Sequence, residues 1–182
     1  MPTYPIQTIA SAPEKSKPAL EQLEQAFGVI PNLAAVISNS PKLVNSLVGV
    51  FQQVHSSSLT EQEIQIVLLT DAVANSSPYA VAFHTALAIK QGVNPEETVA
   101  VRARLVPKDQ RFGALSTLAK TLIEKRGHLS DQELDAFLAA GFTKEQILEV
   151  VAVVAASTIT NYAGTIADPP LEDQFQSFAW RG

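Results

Sequence analysis

The sequence predicts an all-α fold, and three observations carry the prediction. Apolar residues recur at three- and four-residue spacing along most of the chain, and helix start signals and glycine stops punctuate it. No stretch alternates apolar and polar residues between hairpin turns, as strands would require. A first helix is expected over about 17–26, with Leu20, Leu23 and Phe27 on one face and Gly28 supplying a left-handed stop. Pro31 opens a short second helix carrying Leu33, Val36 and Ile37. Ser40-Pro41 then caps and starts a third, which runs to about Val54.

The segment Ser58-Leu59-Thr60-Glu61-Gln62-Glu63 supplies the next start. Thr60 caps, Glu63 closes a capping box three residues later, and Leu59 is placed as the hydrophobic staple. That helix runs to about Asn75. Ile64, Val67, Leu68 and Ala72 form one stripe, and Ile66, Leu69 and Val73 widen it until the helix is apolar nearly all round, which places it at the centre of a bundle or at an interface. Ser77-Pro78 starts another helix to about Gln91, stopped by Gly92, with Ser77 expected as its N-cap. Asn94-Pro95-Glu96-Glu97 caps the next, and further helices are expected over about 109–125, 131–140 and 144–167, separated by Gly127 and Gly141.

The apolar run from Ile147 to Ile159 reads as a buried helix, too short to cross about 30 Å of hydrocarbon. Residues 1–182 read as a single domain, with an extended segment at 1–15 and a packing tail at 168–182. In that tail Pro169-Pro170, Phe175, Phe178 and Trp180 are expected to pack on their own or a neighbouring subunit. Laying Thr60 over Thr143 also matches Ile64 with Ile147, Val67 with Val150, Ala72 with Ala155, Tyr79 with Tyr162 and Ala80 with Ala163. Two alternatives follow: chance agreement of two Ala/Val-rich helices, or a duplicated helical hairpin about a pseudo-twofold axis.

Composition narrows the function. Charged residues make up 17% of the chain, below the roughly 25% usual for soluble domains, so part of the surface is expected to be covered by other subunits. A net charge of -5 leaves no basic stripe for phosphates and argues against nucleic acid as a partner. The stretch Met1–Pro13 has neither a basic nor an apolar leader region, which gives a cytoplasmic address and no membrane partner. The chain contains no cysteine, so thiol nucleophiles, disulfides and thiolate metal sites are excluded together. His55 and His128 fall beside helix ends or loops, where solvated histidines are ordinary. No histidine pair has metal-ligand spacing with a carboxylate, so neither a metal nor another cofactor is expected.

The stretch from Gln65 through Asn75, Ser77, Tyr79 and Ala80 to His84 is the candidate site. It resembles the core motif of the alkyl hydroperoxidase D and carboxymuconolactone decarboxylase family, in which a glutamate precedes Asn-x-Cys-x-Tyr-Cys and a histidine follows one turn later. Asn75, Tyr79 and His84 match that pattern. Ser77 and Ala80 stand where the two cysteines would be, and Gln65 stands where the glutamate would be. The stretches 88–97, 127–143 and 160–162 resemble the peroxidase-related branch of the same family. The resemblance implies an AhpD-like helical bundle and an assembly into trimers, or hexamers built from them.

The family's chemistry needs a helix N-terminus to favour thiolate, a second thiol to resolve the oxidised sulfur, and a glutamate and histidine to relay protons. Serine forms no sulfenic acid, alanine has no heteroatom and glutamine does not titrate, so thiol peroxidase activity is expected to be absent. Two readings of His84 remain. It orients a small molecule in a remnant pocket lined by Gln65, Asn75, Ser77, Tyr79 and Ala80, or sits there as an inherited, hydrogen-bonded core residue with no ligand. The runner-up function is a cysteine-independent decarboxylase-type lyase with His84 as catalytic general acid or base, although the Glu/Trp surroundings of the family's decarboxylase histidine are missing. A serine nucleophile at Ser77 is disfavoured, since it lies two turns from His84 with no acid to orient the imidazole. Asp71, on a different face from Gln65, is expected at the surface or between helices.

Overall fold

The computed structural model describes residues 4–182, and positions 1–3 of the expected extended segment lie outside them. Nine α-helices occur among the described residues, with no strand: α1 (Lys17–Phe27), α2 (Asn32–Ile37), α3 (Pro41–His55), α4 (Glu61–Ala74), α5 (Pro78–Lys90), α6 (Pro95–Arg102), α7 (Gln110–Glu124), α8 (Asp131–Ala139) and α9 (Lys144–Ala167). The all-α prediction holds, with helix ends close to those read from the caps. Residues 4–8 carry no regular structure, tied to α2's end by Gln7 and Asn39 at 2.7 Å, and a 3-10 turn at Glu14–Ser16 leads into α1.

Helix α4 is the axis of the bundle. Thr60 Oγ1 accepts from the Glu63 amide at 3.3 Å, while a Glu63 oxygen accepts from the Thr60 amide at 2.9 Å, closing the capping box. Leu59 is buried beside it, and every residue from Glu63 to Val73 is buried, with α5, α6, α7 and α9 packed around the helix. Burying the Glu63 carboxylate requires a partner. Arg111 of α7 supplies it, placing Nη2 at 2.7 Å and Nε at 2.8 Å from one Glu63 oxygen, with its guanidinium stacked 3.9 Å over the Phe142 ring.

The α4–α5 junction fixes the start of the site. The Ser77 amide bonds back to the Ala72 carbonyl at 2.9 Å and the Ser76 amide to Val73 at 3.1 Å, a Schellman pattern that puts Ser76 in the left-handed region at φ 51°. Ser77 then occupies the N-cap of α5 with Pro78 at the first helical position, but its side chain makes no capping hydrogen bond. The expected cap is therefore positional: Ser77 Oγ accepts from no amide of the first turn of α5.

Helix α9 departs from the expected buried run. It is the one helix among the described residues long and apolar enough to cross a membrane by length and composition. In the fold, Val150, Val153 and Ala156 face α4 and α7 inside the bundle. On the opposite side Leu148 is 71% exposed, Tyr162 59% and Ile166 61%, with Val151 also exposed. A helix on the outside of a bundle buries one face only, and apolar composition alone does not show which face has a neighbour. Asp168 ends it in the left-handed region (φ 45°), and the prolines that follow forbid continuation.

The tail packs on its own chain. A 3-10 turn at Asp173–Phe178 lies against α5, Phe175 meets Phe83 edge-on at 5.2 Å, and Trp180 Nε1 donates to the Arg102 carbonyl at 3.2 Å. Thr60 and Thr143 both open capping boxes, and Val67 and Val150 are both sealed in the core. Past Ala72 the two segments diverge: α4 ends at the Ser76 turn whereas α9 continues, and Tyr79 is buried whereas Tyr162 is exposed.

Candidate functional site

A cavity of about 560 Å³ opens between α1, α3 and the α4–α5 pair. Its walls are mainly apolar and aromatic, with Phe27, Phe51, Phe83, Leu33, Leu47 and Leu87 contributing. Four of the six expected site residues line it: Gln65, Tyr79, Ala80 and His84. Spacing accounts for two of these, since Ala80 and His84 lie four apart on α5, where Phe83 brackets His84 edge-on at 5.4 Å. Gln65 reaches them from α4: its Oε1 lies 3.1 Å from His84 Nδ1.

That contact sets the histidine's chemistry. With Gln65 Oε1 accepting, the proton of the neutral ring sits on Nδ1 and leaves Nε2 as an acceptor with no hydrogen-bond partner among the described residues. Burial first, and the nearby His55 second, hold the His84 pKa down at about 3. At neutral pH His84 is therefore an uncharged acceptor in an apolar wall.

Tyr79 is turned to a different task. Its hydroxyl donates to Glu172 Oε1 at 2.8 Å and accepts from the Leu33 amide at 3.3 Å, pinning the carboxy-terminal tail and α2 to the cavity wall. Burial and the Glu172 charge push its pKa well up, so it stays a neutral donor. Glu172 also accepts from the Asn32 amide at 2.6 Å, at the start of α2. Nothing local in the sequence announces Glu172.

Two expected pocket residues do not reach the cavity. Asn75 folds back on its own helix, with Nδ2 donating to the Asp71 carbonyl and to Asp71 Oδ1, both at 3.0 Å. Ser77 sits behind the wall, beside Gly164 of α9 and the Leu33 side chain. The reason is the Schellman turn, which spends a full turn closing α4 before α5 aims its residues at the cavity.

Asp71 is the buried acid that the sequence reading left between surface and interior. It is fully buried between α4 and α9, and Asn161 Nδ2 donates to its Oδ2 at 2.7 Å and lies 3.2 Å from Ser157 Oγ. Burial raises its pKa to about 6, opposed by hydrogen bonds from Ser157, Asn75 and Asn161. The polar pair His55 and Glu61 was also missed. His55 ends α3, Glu61 begins α4, both line the cavity, and His55 Nδ1 lies 3.0 Å from each Glu61 oxygen. Six residues separate them, and only the angle of the α3–α4 turn makes them neighbours. Among the described residues no cluster of His, Asp and Glu has the makings of a metal site.

Comparison with known proteins gives a family segment and a fold. Residues 41–110, from α3 into α7, match the model of the Carboxymuconolactone decarboxylase family. No curated protein sequence matches the chain. Among solved structures, an alanine variant of the debrominase Bmp8 in complex with 2,3,4-tribromopyrrole is similar with a TM-score of 0.81 at 18% identity, over 98% of this chain and 95% of that one. A peroxidase-related protein from Ralstonia eutropha JMP134, described as an alkylhydroperoxidase AhpD core, gives 0.81 at 18% identity over 94% and 93%. A peroxidase-related protein from Silicibacter sp. TM1040 gives 0.80 at 16% identity over 96% and 94%.

Proposed function

We propose that this chain, AhpD-like in fold and carrying a carboxymuconolactone decarboxylase family segment at 41–110, is a thiol-free binding protein that takes a small planar molecule into the cavity beside His84. The observation that carries the reading is the neutral, Gln65-oriented imidazole with an unpaired Nε2 in a mainly apolar wall. Cavities of roughly 300–1,000 Å³ with apolar walls and few placed polar groups are the usual form of small-molecule sites, and the volume of about 560 Å³ falls within that range. A molecule of the size and flatness of the tribromopyrrole bound by the Bmp8 variant suits such a volume. Thiol peroxidase chemistry has no atoms to run on, because the chain has no cysteine and Ser77 lies outside the cavity. Calorimetric titration with 4-nitroanisole, an uncharged planar probe, tests the reading: saturable binding supports it, and a protein that binds neither this probe nor its phenol counterpart removes it.

The family match over 41–110 favours a second reading, a decarboxylase-type lyase with His84 as the proton-transfer group. Its low pKa makes His84 an acceptor and a poor donor near neutrality. Turnover of unsaturated lactone acids by wild type and loss of that turnover in His84→Ala support the lyase, and equal rates remove His84 from any mechanism.

The same reading includes self-assembly into a trimer or hexamer. Leu148, Val151, Ala155, Tyr162 and Ile166 recur at steps of three, four and seven residues along the exposed side of α9, the pattern of a helix that packs on a partner helix. The double substitution Leu148→Glu and Ile166→Glu reduces the light-scattering mass to that of one chain. A wild type that already scatters as a monomer contradicts the assembly.

A further inference from the structure

The cavity has a second imidazole, and its setting differs from that of His84. His55 is the last residue of α3, Glu61 the first of α4, and the two side chains are 40% and 43% exposed at the cavity's edge. Both Glu61 oxygens lie 3.0 Å from His55 Nδ1, which fixes the Nδ1–H tautomer and leaves Nε2 as the nitrogen available to a ligand. Phe51 stacks on the ring with centroids 5.9 Å apart and holds its plane. A carboxylate behind an imidazole orients the ring and holds the imidazolium once a proton arrives. The helix ends act in the same sense, since the carboxy-terminal end of α3 favours a cation and the amino-terminal end of α4 favours the Glu61 anion.

The other charged or titratable groups around this space are few. Lys90, from the end of α5, lines the same cavity and brings a cation, the Tyr79 hydroxyl is spent on Glu172, and His84 lies buried farther in as a neutral acceptor. Both imidazoles line one mainly apolar cavity with Nδ1 engaged and Nε2 left without a protein partner, while a cation stands at its edge. A ligand that satisfies this set must carry a donor and tolerate a negative charge.

We infer that the His55–Glu61 pair is a proton-accepting site, and that the cavity takes a planar aromatic molecule with a weakly acidic hydroxyl, which it binds as the phenolate. The inference rests on the cavity reading given above. On binding, the hydroxyl proton passes to His55 Nε2, the imidazolium is held by Glu61, and the phenolate oxygen remains paired with the new N–H and near the Lys90 ammonium. No electron is transferred and no other bond is made or broken.

A pair of probes separates this inference from the reading it rests on. 4-Nitrophenol changes colour on ionisation, and 4-nitroanisole has the same ring with no acidic proton. Below the pH at which free nitrophenol ionises, wild type is expected to bind it with the absorption band of the phenolate and more tightly than the anisole. In His55→Gln and in Glu61→Gln the ratio of phenol to anisole affinity falls by about tenfold or more, the loss of a charge-assisted hydrogen bond, and the phenolate band disappears. A mere clamp between two helix ends would not affect the colour of a bound ligand. Anisole binding without a phenolate band, or a band that survives in His55→Gln, overturns the proton-accepting pair and leaves the cavity reading standing. Failure of both probes to bind overturns the cavity reading and this inference with it.

Discussion

Two polar clusters flank the same helix six residues apart, and burial has treated them oppositely. Gln65 and His84 meet beside an apolar cavity, whereas Asp71, Asn75, Ser157 and Asn161 meet in a sealed seam between α4 and α9. Desolvation disfavours charge in both places, lowering His84 to about 3 and raising Asp71 to about 6. At neutral pH the histidine answers by staying uncharged, with an acceptor left over. The aspartate is still largely ionised and is held by three side-chain donors, leaving nothing over for a ligand. The comparison separates a site from a structural network: unspent hydrogen-bonding capacity facing a cavity marks the first, and a carboxylate fully engaged by its neighbours marks the second, where the one unpartnered atom, Asn161 Oδ1, is sealed in the interior and faces no cavity.

The largest expected effect that sharpens this contrast is the acid limb of stability. His84 has a depressed folded pKa, so its share of stability is full above its ordinary value of 6.5 and is lost as pH falls toward about 3. His84→Gln removes that loss, and the variant gains on wild type by about 1.4 kcal/mol per pH unit below 6.5. Urea midpoints at several pH values measure it, and parallel curves for the two proteins rule the buried neutral histidine out.

Asp71 gives the opposite sign. Its raised folded pKa means that its contribution is full below the ordinary 3.8 and is lost as pH rises through about 6, a difference of about 3 kcal/mol. Asp71→Asn flattens that limb, and a wild-type minus variant difference independent of pH contradicts the assignment. Next in size, Asn161→Ala takes one donor from the buried carboxylate and costs about 2 kcal/mol at neutral pH, less at pH 5 where the acid is protonated. An equal cost at both pH values breaks the link to Asp71. The smallest effect lies at the junction between the clusters: Ser76 holds φ 51°, and Ser76→Gly relieves strain worth about 1 kcal/mol, partly offset by chain entropy. Thermal unfolding would show a small rise or no change, and a clear fall counts against strain at this turn.

Much of the scaffold was legible because it is written in local code. The box at Thr60–Glu63 and the caps at Ser40 and Asn94 each need only three or four consecutive residues to be read, and each forms. The family resemblance brought Gln65 and His84 together, which spacing alone does not, since 19 residues and a turn separate them. Asn75 and Ser77 were misplaced because sequence proximity to His84 takes no account of the turn that α4 consumes in closing. The Asp71–Asn161 contact spans 90 residues and the Tyr79–Glu172 contact 93, so neither has a local signature. His55–Glu61 is close in sequence but depends on the crossing of α3 and α4. The exposed row on α9 was hidden for a related reason: hydropathy records how apolar a face is, and only packing records whether it is covered.

The distinction between the two clusters is tested most directly by one titration followed by NMR: the imidazole nitrogens of His84 and the side-chain amides of Gln65 and Asn161, recorded while 4-nitroanisole is added at neutral pH. Saturable shifts at His84 and Gln65 with Asn161 unmoved are the predicted result. No shift at His84, or an equal response at Asn161, would contradict the assignment of one cluster to ligand binding and the other to the core.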